Sequence, residues 1–91
     1  MCVIDIQQTI SIIKDGQMII LVDDEKRENE GDLVIAAEKI TPEHINFMRK
    51  FAGGLICLAM DHELIKKLHL LPMAPNNNSK FKTNFTLSIE A

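Results

Sequence analysis

Tryptophan and tyrosine are absent from this sequence of 91 residues, and only 4% of its residues are aromatic. The packing of any core must therefore depend on aliphatic and methionine side chains. Cysteine is also scarce. Cys2 and Cys57 are too few for a disulfide framework, and their spacing does not fit a zinc site. This cysteine usage is typical of a reducing compartment, so we expect a cytoplasmic protein.

Long apolar runs and basic clusters are missing as well. The longest apolar run is far shorter than the roughly 20 residues that a transmembrane helix needs. The formal net charge is −3, and only Arg27 and Arg49 among the ten basic residues are arginines. Because the sequence has neither a basic stripe nor a set of aromatic residues on which bases could stack, we expect no nucleic-acid partner and no membrane partner.

The apolar pattern predicts helices layered on a mixed sheet, an α/β fold of the α+β type. In chain order the predicted elements are a helix over 3–14, a strand over 17–22, a strand over 33–37, a helix over 42–52, a strand over 55–60, a helix over 62–68, a loop over 71–83 and a strand over 85–89. The continuous apolar run over 17–22 predicts a strand that is buried on both faces. No predicted element follows the last strand to cover it, so we expect a piece of a larger domain; the alternative is a partner chain that completes the sheet.

Six of the thirteen acidic residues lie between Asp23 and Asp32, directly after the first predicted strand. Carboxylates held close together repel one another unless a cation, an arginine or hydrogen bonds compensate. The segment is not an EF-hand loop, since Arg27 and Glu28 occupy the positions where that loop needs an oxygen ligand and a glycine. Mg²⁺ commonly takes only one or two protein carboxylates. The residues therefore allow two interpretations, a magnesium-dependent site or a solvated surface loop.

Residues 19–32 closely resemble the acidic loop of the 3,4-dihydroxy-2-butanone 4-phosphate synthase family. Further motifs resemble the same family in the same order: Ala36-Ala37-Glu38, Thr41-Pro42-Glu43, Asn46-Phe47-Met48, residues 54–58, Leu71-Pro72-Met73 and Asn76-Asn77. The resemblance covers nearly the whole chain from about residue 10. It implies that residues 1–91 are the N-terminal part of a single synthase domain, incomplete relative to the full family domain.

The resemblance also implies a reaction and a set of site residues. The family converts D-ribulose 5-phosphate into 3,4-dihydroxy-2-butanone 4-phosphate and formate in riboflavin biosynthesis, using Mg²⁺ or Mn²⁺, as a homodimer. By motif position, Glu28 is the expected metal ligand, and Arg27, Glu28 and Asp32 are expected to contact the sugar phosphate. Glu30, Asp32 and Cys57 are the expected catalytic residues, although a cysteine in an apolar segment is more often an inert packing residue.

The family domain is more than twice as long as this chain, and the histidine that supplies its second metal ligand has no counterpart here. We therefore expect the 91 residues alone to be inactive as a lyase, with the reaction carried by a complete chain. An alternative is a truncated, non-catalytic oligomerising or binding domain. A third hypothesis, a simple acidic metal-binding module, explains the acidic segment but not the other motifs.

Overall fold

The first helix, α1, extends over Ile6–Lys14 in a computed structural model that describes residues 3–73 and 84–90. Its N-cap is Asp5, whose carboxylate accepts the N–H of Gln8 at 2.8 Å while the Gln8 side chain accepts the N–H of Asp5. This capping box satisfies two N–H groups that the start of a helix leaves unpaired. After α1, Gly16 has a φ of 79°, a left-handed conformation that glycine adopts without strain. The helix predicted over 3–14 is confirmed, with its start at Ile6.

Two strands, β1 over Ile19–Val22 and β2 over Gly31–Val34, form an antiparallel two-stranded sheet. The register pairs Ile19 with Val34 and Val22 with Gly31. The first predicted strand is confirmed from Ile19 onwards. The second lies two residues earlier than predicted and ends at Val34. A short 3₁₀ helix then covers Ala37–Lys39.

The prediction that β1 is buried on both faces is wrong. Ile20, Leu21 and Val22 remain 69%, 58% and 46% exposed, and none of the residues that the structure describes is buried. A continuous apolar run shows that a strand can be covered on both faces, but burial also requires elements that pack there. Within the described residues β1 contacts α1 and pairs with β2, and these contacts leave most of its apolar surface in water.

The helix predicted over 42–52 is confirmed in extent, but its winding changes along its length. Helix α2 covers Pro42–Phe47, and a π-helical segment continues it over Met48–Ala52. Thr41 is the N-cap: its hydroxyl accepts the His44 N–H at 3.3 Å, and its own N–H donates to His44 Nδ1 at 3.0 Å. The left-handed Gly53 and Gly54 that follow prevent further helix.

The strand predicted over 55–60 is wrong. This segment has no strand structure, and its residues from Leu55 to Ala59 are exposed. A strand exists only through hydrogen bonds to a neighbour, and within the described residues no segment forms a β-ladder with this one. The α/β class of the prediction is nevertheless confirmed, because helices and a sheet occur together.

The described residues from Ala59 onwards belong to a second compact unit, and the first unit ends at Leu58. Its helix α3 covers His62–Lys67, as predicted, and the Asp61 carboxylate caps it by accepting the Leu64 N–H at 2.8 Å. The strand predicted over 85–89 is wrong, since the described residues show only one antiparallel bridge there, between Pro72 and Thr86.

Most of the loop predicted over 71–83 lies outside the described residues. No helix in the described ranges has the length and apolar character needed to cross a membrane.

Candidate active site in the acidic loop

The acidic loop, residues 23–30, connects β1 to β2 and is held by hydrogen bonds within its own backbone. At its base the Asp23 N–H donates to the Glu30 carbonyl at 3.3 Å and so extends the ladder of the two strands. At its tip the Asp24 carbonyl accepts the N–H of Arg27 at 2.9 Å and that of Asn29 at 3.4 Å. These bonds give the loop a defined path although its residues are exposed, except for the partly shielded Asp23.

The Asp23 carboxylate is the centre of this arrangement. Its Oδ2 accepts the backbone N–H of Glu28 at 2.9 Å, and its Oδ1 accepts that of Glu30 at 2.9 Å. Its side chain is 23% exposed, and Asp23 is the one partly shielded residue between Asp23 and Asp32. The N–H groups of Glu30 and Glu28 lower the pKa of the Asp23 carboxyl, and the nearby Arg27 lowers it further. This carboxylate is therefore kept in its charged, hydrogen-bond-accepting form.

Asn29, between Glu28 and Glu30, has a left-handed φ of 52°. Asparagine tolerates this conformation better than most residues, because its short polar side chain can hydrogen-bond locally. The turn therefore falls on a residue type that suits it, between the two residues whose N–H groups reach Asp23.

Arg27 connects two of the carboxylates. Its Nη1 lies 3.1 Å from Asp23 Oδ2 and also contacts Glu28 Oε1. The guanidinium is about half exposed, so each ion pair contributes little to stability. Its main effect is local, because one positive charge between two carboxylates reduces their mutual repulsion.

One side of the loop and β2 lines a shallow cavity of about 240 Å³. The lining residues are Leu21, Val22, Asp23, Arg27, Glu28, Glu30 and Asp32. The three acidic members after Arg27 lie at alternate positions, with Glu28 and Glu30 on either side of the left-handed Asn29 and Asp32 in β2. A neighbouring depression is lined by Glu25, Asn29 and Gly31 together with Ile20, and it shares Val22, Asp23 and Glu30 with the first cavity. The structure thus brings together four residues that the sequence predicts for the site, namely Arg27, Glu28, Glu30 and Asp32.

The donor chemistry of this cavity suits a hard divalent cation only in part. Carboxylate oxygens are the ligands that Mg²⁺ and Mn²⁺ accept, and Mg²⁺ often takes just one or two of them from a protein. However, no group of three acidic, histidine or cysteine residues within 3–73 and 84–90 is arranged to hold a metal ion. The described residues therefore fit a contribution of one or two ligands, with Glu28 the predicted one.

Cys57, the remaining predicted site residue, does not line the cavity. Its thiol is exposed, and its Sγ lies 4.0 Å from the Leu55 carbonyl oxygen, which is at most a weak contact. The structure does not place Cys57 with the acidic residues.

Asp23 is the residue of this loop whose role the sequence reasoning missed. In the sequence it is one carboxylate among six, and nothing in the composition distinguishes it. Aspartate side chains commonly accept a backbone N–H two residues further on, and that local signal points to Asp24, which accepts the Lys26 N–H. The N–H groups that reach Asp23 lie five and seven residues further on, beyond the range of such a signal.

Comparison with known proteins gives one consistent result. The family profile described as 3,4-dihydroxy-2-butanone 4-phosphate synthase matches residues 7–91. A 3,4-dihydroxy-2-butanone 4-phosphate synthase from Photobacterium phosphoreum is 54% identical over 85 residues, which are 93% of this chain and 23% of that protein. The riboflavin biosynthesis protein RibBA of Aquifex aeolicus is 52% identical over 86 residues, 94% of this chain and 21% of its own length.

A solved structure agrees with these relatives. The crystal structure of a two-domain 3,4-dihydroxy-2-butanone 4-phosphate synthase from A. baumannii matches with a TM-score of 0.78 and 52% identity, over 91% of this chain and 24% of that one. The chain thus spans about a quarter of the length of the relatives that it matches.

Proposed function

Because the chain belongs to the 3,4-dihydroxy-2-butanone 4-phosphate synthase family, we propose that it supplies the acidic part of an active site that acts on D-ribulose 5-phosphate. The products of the proposed reaction are 3,4-dihydroxy-2-butanone 4-phosphate and formate, in riboflavin biosynthesis. Since the chain spans about a quarter of its relatives, the activity is proposed for a polypeptide in which this segment is combined with the rest of the domain.

The observation that carries the proposal is the convergence of Arg27, Glu28, Glu30 and Asp32 on one cavity. A sugar phosphate is rich in oxygen atoms and carries negative charge, and it needs groups that bind a phosphate or a hydroxyl and groups that move protons. The Arg27 guanidinium, which contacts Asp23 and Glu28, and the carboxylates that line the same cavity provide both kinds of group.

Each of these residues has a proposed role. Glu28 would hold the divalent cation, Mg²⁺ or Mn²⁺, and contact substrate oxygens. A cation bound there would polarise the ketone and hydroxyl oxygens of the substrate. Glu30 and Asp32 would transfer protons at the carbon and oxygen atoms of the sugar, and Asp32 would also bind it. Arg27 would orient the substrate through charge-assisted hydrogen bonds.

The finer features of the proposal rest on the sequence resemblance. We propose a cytoplasmic lyase that works as a homodimer. Cys57 remains a proposed catalytic residue, although its exposed thiol lies outside the acidic cavity. Its participation would require that the complete site extend beyond this cavity.

A non-catalytic oligomerising domain is the second candidate function, and the exposed apolar surface favours it. Twenty large hydrophobic residues of the described ranges are more than about a third exposed. A surface of this kind marks either an interaction site or a surface that the rest of a domain covers. The two candidate functions differ in one respect. Only the synthase segment would convert ribulose 5-phosphate once the rest of the synthase domain is present.

The test is an exchange chimaera, in which residues 7–91 replace the matching segment of the Photobacterium phosphoreum relative. We expect the chimaera to release formate from ribulose 5-phosphate in the presence of Mg²⁺ and the isolated 91-residue chain to release none. Glu28→Gln in the chimaera should abolish release, whereas Glu25→Gln, whose side chain lines the other depression, should not. A folded chimaera that forms oligomers but releases no formate would favour the oligomerising domain instead.

A further inference from the structure

The Asp23 carboxylate connects the start of the acidic loop to its far side. It accepts the backbone N–H of Glu28 and of Glu30, each at 2.9 Å, through different oxygens. The two donors belong to residues that line the acidic cavity with Asp32. No other carboxylate in the described part of the loop accepts two amides; Asp24, for example, accepts only the Lys26 N–H, at 2.7 Å.

From this geometry we propose that Asp23 is a positioning residue, which fixes the backbone so that Glu28 and Glu30 direct their side chains into the same cavity. The inference rests on the proposed synthase function for its effect on catalysis, but its structural part stands on the hydrogen bonds alone. Asp23 acts through the residues that it orients, and the proposal assigns it no contact with a substrate or a metal ion.

The physical need for such a residue follows from the charges of the loop. Glu28 and Glu30 in the exposed loop and Asp32 in β2 line one cavity, and the mutual repulsion of their carboxylates favours conformations that separate them. Backbone hydrogen bonds at the tip hold Asp24 to Arg27 and Asn29, but they do not reach Glu28. The two bonds to Asp23 are charge-assisted, and such bonds are stronger than those between neutral groups.

A substitution at Asp23 can separate geometry from charge. In Asp23→Asn, the side-chain carbonyl can still accept one of the two amides, but its NH₂ group then faces the other N–H, donor against donor. In Asp23→Glu, the charge remains, but the extra methylene displaces the carboxylate. If the position of the carboxylate matters, both variants lose the ordered loop and the low Mg²⁺ requirement of the parent. If only its charge matters, Asp23→Glu keeps both properties.

The experiment compares the chimaera with its Asp23→Asn, Asp23→Glu and Glu25→Gln variants. The first readout is amide hydrogen–deuterium exchange of the metal-free proteins, resolved to peptides inside and outside residues 23–32. We expect faster exchange in both Asp23 variants, confined to peptides that contain Glu28 and Glu30, and no change in Glu25→Gln. Exchange that rises equally across the whole protein would indicate general destabilisation and overturn the positioning role.

The second readout is formate release as a function of Mg²⁺ concentration. Loss of a residue that orients a metal ligand typically costs about 10–100-fold in metal affinity or activity, so we expect an increase of about that size in the half-saturating Mg²⁺ concentration of Asp23→Asn. A variant that was merely less stable would show less active protein with an unchanged Mg²⁺ requirement.

The outcomes separate this proposal from the proposed function. The positioning role would be overturned, even if the chimaera is active, by loop amide exchange at the parent's rate in either Asp23→Asn or Asp23→Glu. If the parent chimaera is folded and inactive while Asp23→Asn still exchanges faster in the loop, the proposed reaction fails and the structural role of Asp23 is supported.

Discussion

Asp23 and Glu30 are joined by two hydrogen bonds at the base of the acidic loop. The Asp23 N–H donates to the Glu30 carbonyl at 3.3 Å, and the Glu30 N–H donates to Asp23 Oδ1 at 2.9 Å. The first bond extends the strand ladder by one step, and the second ties the side chain of one strand end to the backbone of the other. The pair closes the loop next to the cavity that Asp23 and Glu30 both line.

Replacing Arg27 by alanine should weaken substrate binding in the chimaera. A hydrogen bond to a charged group contributes about 1.5–3 kcal/mol, which corresponds to an increase in KM of about 10–100-fold. Arg27→Lys keeps the charge but not the planar fork of donors, so we expect an intermediate KM. The neighbouring Lys26→Ala serves as control, since Lys26 does not line the cavity. Equal KM values for Arg27→Ala and Lys26→Ala would contradict the role of Arg27.

Thr41→Ala should destabilise the start of α2. The Thr41 hydroxyl accepts the His44 N–H, and loss of an N-cap of this kind costs about 0.5–2 kcal/mol of folding free energy. Thr41→Ser keeps the hydroxyl and should stay close to the parent. Denaturant unfolding of the three chimaeras measures the difference. An equal free energy of unfolding for all three would mean that this cap contributes nothing.

Stability should depend on pH through Glu43, in the first turn of α2. Its own backbone N–H, the Thr41 hydroxyl and the nearby His44 lower the pKa of the Glu43 carboxyl. A carboxyl whose folded pKa lies below its unfolded pKa stabilises the protein above the unfolded value, roughly 4.3, and loses this effect as the pH falls through the folded value.

The comparison of the parent chimaera with Glu43→Gln isolates this effect, because the other titrating groups are common to both. We expect a higher thermal midpoint for the parent at pH 7 and a difference that closes as the pH is lowered below about 4. A difference that stays constant down to pH 2 would show that the charge of Glu43 is not involved.

The isolated 91-residue chain should unfold with low cooperativity. No described residue is buried, and apolar burial is the main favourable contribution to folding. We expect strong binding of a hydrophobic dye and a broad thermal transition by circular dichroism, whereas the chimaera should bind little dye and melt sharply. A sharp transition with weak dye binding would indicate that the chain forms a core on its own or with a second copy.

Local signals in the sequence determined the helices of this protein. The three helix starts carry Asp5, Thr41 and Asp61 as N-caps, and glycines follow α1 and the π-helical segment. Caps and stops act through hydrogen bonds between residues three or four positions apart, so a sequence read in short windows contains the information. The gathering of acidic residues into one loop was predictable for the same reason.

Tertiary structure decided the strands, the burial and the role of Asp23. The apolar segments over 55–60 and 85–89 have strand-like sequences, but a strand requires a hydrogen-bonding partner, and the described residues provide no ladder for either. The side chains of β1 stay exposed because burial depends on what packs against them. The sequence alone could place six carboxylates between Asp23 and Asp32. Only the folded turn shows that one of them accepts the amides of Glu28 and Glu30, since these two bonds depend on the backbone path through a left-handed Asn29.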